Sequence, residues 1–124
     1  PLQHEAHRVE AEIAELRDAL DRLHAAMDDL VVRGVRAAGA TDIARLTALR
    51  DEFNTAGAGH LAEKLSTLVE AIRAGERAAA PALMRAVTTF RLFDRMLTLE
   101  VARGVLAPPP MADGDEDAPE DEDE

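Results

Sequence analysis

Between residues 2 and 30, apolar side chains recur at Leu2, Ala6, Val9, Ile13, Leu16, Leu20, Leu23, Met27 and Leu30, with spacings that alternate four and three throughout. A period of 3.5 puts all nine on one stripe of an α-helix, and such a stripe leaves water only by packing against other helices. At ~1.5 Å per residue the stripe alone is about 43 Å long, longer than any compact body the remaining chain can build. The chain is therefore organised around a long helix whose physical task is to associate.

Reading the stripe as a heptad seam, Ala6, Ile13, Leu20 and Met27 occupy a, while Leu2, Val9, Leu16, Leu23 and Leu30 occupy d; no charge interrupts either row. A two-stranded coiled coil carries charges at e and g, whereas a bundle helix widens its apolar face. Glu12 and Arg17 would attract across a parallel dimer, and Glu5 and Glu10 would repel. From Ala19 onward the flanks turn apolar, with Ala26 and Val31 following. The C-terminal half of the helix is thus expected in a multi-helix core, and the N-terminal half is expected to project or to pair. The residues expected to contact a partner are Val9, Ile13, Leu16, Leu20, Leu23, Met27 and Leu30.

Beyond this helix the pattern predicts three more, giving an all-α fold: a small bundle of about four helices over residues 1–107, followed by a Pro-rich spacer and acidic disordered tail over 108–124. The first helix is expected to run into Arg36 and fail near Gly39, with Gly34 weakening its last turn. Thr41 or Asp42 caps the second, in which Ile43, Leu46, Leu49 and Phe53 keep helical spacing. Asn54, Gly57 and Gly59 mark a turn. Leu61, Leu65, Leu68, Val69 and Ile72 form a third segment ending at Gly75. Pro81 fits the first position of a fourth helix running to Leu106. That helix is apolar on two sides, which predicts a central position. Asp94 lies among its apolar residues and needs a basic partner if it is buried. Pro108, Pro109 and Pro110 stop it.

Composition narrows the chemistry. Hydrophobic residues are 47% of the 124, but Ala dominates them and aromatics are 2%, so the core is aliphatic and stacking platforms for single-stranded nucleic acid are nearly absent. Direct nucleic-acid binding is not expected. With no Cys there is no disulfide, thiolate zinc site or cysteine nucleophile. No basic segment followed by an apolar run opens the chain, and no apolar run approaches the roughly 20 residues of a membrane span, so a cytoplasmic protein without membrane contact is expected. Thirteen of the fourteen bases are Arg and Ala is abundant, a composition associated with GC-rich bacterial genomes.

The net charge of −11 is uneven. Nine of the 25 acids fall between Asp113 and Glu124, which leaves 16 acids against 14 bases before them. The stretch after Pro110, with one Met, no other large apolar residue and dense like charge, does not fold by itself, and Asp115, Glu116, Asp117, Glu120, Asp121 and Glu122 are candidates to meet a basic partner surface.

Candidate catalytic and metal sites fail on spacing. His4 and His7 lack a third ligand. Asp21, His24 and Asp28 stand at the i, i+3, i+7 spacing of di-iron bundles, but they flank the seam and read as a surface charge cluster. His60 follows Gly57, Ala58 and Gly59 without the strand or the lysine of a phosphate-binding loop. Ser66 has no His or acid at an activating spacing. Arg85, Arg91, Arg95 and Arg103 on the fourth helix form no dense basic stripe. No enzyme and no cofactor are expected.

The stretch Gly59-His60-Leu61-Ala62-Glu63-Lys64-Leu65 and Leu68-Val69-Glu70-Ala71-Ile72, followed by the Arg-containing helix over 82–101, resembles helical segments of bacterial SWIM-zinc-finger-associated proteins. The resemblance covers residues 49–105. The zinc ligands that define a SWIM module have no counterpart, so no functional residue carries over; what the resemblance implies is an accessory component of a larger assembly.

Two functions remain. The first is a non-enzymatic adaptor or assembly subunit, which uses the seam to form a homo-oligomer or to dock a protein partner's helix. The alternative is an acidic regulator, whose tail binds a basic partner surface as a nucleic-acid mimic.

Overall fold

Gly34 ends the first helix, five residues before the expected break. In a computed structural model, which describes residues 2–106, helix α1 (Leu2–Arg33) stops where Gly34 takes φ +93°, a left-handed conformation open to glycine at no steric cost. Gly34 N–H still donates to the Leu30 carbonyl at 2.8 Å, and a single 3₁₀ turn (Val35–Ala37) follows instead of more α-helix. Helix α2 (Ala40–Thr55) begins after Gly39, and Asp42 supplies its cap by reaching back to accept the Gly39 N–H at 2.9 Å. Arg33 fastens this corner, donating to Asp29 at 2.6 Å and to Asp42 at 2.8 Å.

Helix α3 (Gly59–Ala74) ends as its sequence predicts. Gly75 adopts φ +67°, its N–H reaches the Ile72 carbonyl at 3.0 Å, and the Glu76 N–H reaches Ala71 at 3.1 Å. Helix α4 (Ala79–Leu106) starts two residues before the expected Pro81. Pro81 then lies in the first turn, where its missing N–H would have had no intrahelical acceptor.

Among the described residues the chain is all-α, with four α-helices and no strand, and forms a small helical bundle. The most completely buried helix is α3, through Leu61, Ala62, Leu65, Leu68, Val69 and Ala71. Helix α2 packs against it, with Leu46, Leu49 and Phe53 buried, and the core also takes in Leu20, Leu23, Met27 and Leu30 of α1 and Ala82, Leu83, Ala86 and Val87 of α4. The expected central position of α4 is corrected here: Leu92, Met96 and Leu99 on its second apolar side are exposed. The buried stripe of α4 is a single face, Ala82, Leu83, Ala86, Val87 and Phe90.

The chain divides into two compact units, residues 1–94 and 95–124. The described part of the second is the end of α4, where Arg103 donates to Glu100 at 2.9 Å and Met96, Leu99 and Val101 are exposed. Among the described residues no helix is long and apolar enough to cross a membrane. The expected tail over 108–124, with Asp115, Glu116, Asp117, Glu120, Asp121 and Glu122, lies outside the described residues.

Candidate functional site

The seam of α1 changes environment at its midpoint. Leu20, Leu23, Met27 and Leu30 are buried in the protein's own core, whereas Val9 is 51% exposed and Ile13 and Leu16 are only partly buried. Around the helix axis the two flanks also differ. On the g side Ala19 and Ala26 are buried; on the e side Arg17 forms an ion pair with Asp94, and the His24 ring stacks on Phe90 with centroids 5.5 Å apart. Val31, expected to widen the apolar face, is instead 53% exposed, because it sits on the e side and the core widens only towards g.

Where α1 outruns the core, a cleft of about 620 Å³ opens between it and the end of α2. Val9, Ile13, Leu16 and Ala19 line one wall, and Thr55 and Ala56 contribute to the other. Four carboxylates also line it, Glu12 and Glu15 from α1 and Asp51 and Glu52 from α2, and no lining residue is basic. The g and c positions of the heptad are neighbours on a helix, so Glu12 and Glu15 form one edge beside the apolar row.

The charges of the two edges are not equally engaged. Arg22 donates to both oxygens of Glu52, at 2.8 and 2.7 Å, and to Asp18 at 3.0 Å. This two-pronged contact holds the Glu52 carboxyl below the ordinary glutamate value and raises the Arg22 guanidinium, and it ties α1 to α2 at the Glu52 edge of the cleft. Asp51 is met by Arg50 at 3.0 Å. Glu12 and Glu15 have no ion pair among the described residues.

The remaining candidates separate. His24 stands 3.3 Å from Asp28, both largely exposed, with Asp21 exposed on the same helix; His60 stands 4.0 Å from Glu63 at the surface. Among the described residues no three His, Asp or Glu side chains are grouped to hold a metal ion. The expected partner for Asp94 is found in Arg17 of α1 and not in the bases of its own helix. The α2 wall of the cleft, Asp51, Glu52, Thr55 and Ala56, has no sequence signal of its own, since nothing in the heptad says which segment will run beside it. Compared with known proteins, the chain matches no family model, no curated protein and no solved structure.

Proposed function

We propose that the protein is a non-enzymatic helical interaction module, an adaptor or assembly subunit that engages a partner helix through the N-terminal half of α1. One observation carries this reading: the heptad continues unbroken through Val9, Ile13 and Leu16 where the protein's own helices cover it only in part. An apolar row maintained at seam spacing beyond the core gains nothing for the isolated fold and is what helix-in-groove recognition uses. The resemblance of residues 49–105 to SWIM-zinc-finger-associated segments supports an accessory place in a larger bacterial assembly. The test is a photo-crosslinking residue at position 13, compared with one at exposed Thr67 on α3. Discrete crosslinks in source cells from position 13 but not from 67 support the reading. Equal or absent crosslinking at both positions contradicts it.

A second reading is favoured by the charge distribution. Nine acids in the last twelve residues suit a basic partner surface, and truncation after Ala112 should then weaken that complex while the melting temperature stays the same.

A further inference from the structure

We infer that the cleft between α1 and α2 takes an amphipathic helix with basic flanks, supplied by a different protein. This rests on the interaction-module reading and narrows it to one kind of partner. The apolar row Val9, Ile13, Leu16 and Ala19 runs along ~15 Å of helix, which matches about three turns of an occupant presenting apolar side chains at i, i+3 or i+4 and i+7. The occupant then meets four carboxylates, Glu12 and Glu15 from α1 and Asp51 and Glu52 from α2.

Charge decides among the occupants. A second copy docked seam to seam adds its own four carboxylates to these four, and the attraction of Glu12 for Arg17 across a parallel pair is weakened because Arg17 already holds Asp94, so the net juxtaposition is unfavourable. The chain's own segment 113–124 carries nine acids and no base, so it is repelled as well. Lys or Arg on an incoming helix meets Glu12 and Glu15, whose charges no base in the described protein engages. Asp51 and Glu52 already hold Arg50 and Arg22, so they add field more than new pairs. Electrostatic steering of this kind sets specificity and association rate, with the apolar row supplying the adhesive contact.

The experiment titrates the full chain with two synthetic helical peptides that share one Leu pattern, one flanked by Lys and Arg and the other by Glu, and follows fluorescence anisotropy. The basic peptide should bind at least about tenfold more tightly, and its affinity should fall as salt rises. Glu12→Gln with Glu15→Gln should erase most of that preference, and Ile13→Asp should abolish binding of both peptides. Both substituted glutamates are exposed, so circular dichroism should show unchanged helicity. Equal binding of the two peptides overturns the charge inference and leaves the interaction surface intact. Binding of neither, with crosslinks still arising at position 13, overturns the cleft as the docking site. A dimer of the protein alone that Ile13→Asp dissociates makes a second copy the occupant and overturns the inference.

Discussion

The two halves of α1 carry the same heptad and meet opposite fates. Leu20, Leu23, Met27 and Leu30 are buried in the core, while Val9, Ile13 and Leu16 line an open cleft. The seam itself does not change, but two of the other helices, α2 and α3, are half as long as α1. At 32 residues α1 is ~48 Å long, and α2 and α3, at 16 residues each, are ~24 Å. Periodicity therefore specifies a stripe, and only the span of what packs on it specifies how much of the stripe is core. Arg17, paired with Asp94, stands at the boundary between the halves.

Substitution separates the halves most forcefully. Leu23→Asp puts a charge at a side chain with 0% exposure and should cost about 4 kcal/mol or more, seen as a large loss of melting temperature by circular dichroism. Leu16→Asp, one heptad earlier and at the same d position, should cost about 1 kcal/mol. Equal losses would erase the distinction drawn between the two regions. A smaller effect is expected at the boundary. Arg17 and Asp94 have side chains 39% and 37% exposed, so solvent screens the pair and Arg17→Ala should cost about 1 kcal/mol or less. Asp94→Asn should then add little in the Arg17→Ala background, which a double-mutant cycle measures.

The smallest effect concerns pH at the Glu52 edge of the cleft. Arg22 lowers the Glu52 carboxyl in the folded state relative to the unfolded chain, so the contribution is fully present above the ordinary glutamate value. It is lost as pH falls from there through the lowered folded value. Glu52→Gln should therefore reduce stability at neutral pH by under about 1 kcal/mol, given its exposure, and make the acid-side decline in melting temperature shallower. Asp29, lowered by Arg33, should keep part of that decline in the variant. An acid limb as steep as the parent's would mean that the Arg22 contact adds no stability.

Much of the fold was legible in the residues. The α1 stripe, the Leu and Phe spacing of α2, the Leu61, Leu65, Leu68 and Val69 stripe of α3 and the left-handed stop at Gly75 are local patterns, and local sequence determines them. The break at Gly34 was misplaced to Gly39, because two glycines competed and propensity alone does not say which takes a positive φ. The centrality of α4 was misread because an apolar second side signals burial only if another element packs on it; Leu92, Met96 and Leu99 are exposed. Of the cleft, the α1 wall was legible as the projecting half of the seam. The α2 wall was not, since the Arg22 to Glu52 contact joins residues 30 apart and no pattern within either helix encodes it.

Amide hydrogen exchange along α1 in the isolated protein measures the division of the helix most directly. Amides from Leu20 to Leu30 should exchange only through global unfolding, with protection that follows total stability. Those from Val9 to Leu16 should exchange at least about tenfold faster, by local fraying of a helix that lacks tertiary cover. Uniform protection from Val9 to Leu30 would contradict this division, because it would mean that the N-terminal half of the seam is already sealed and offers no surface to a partner.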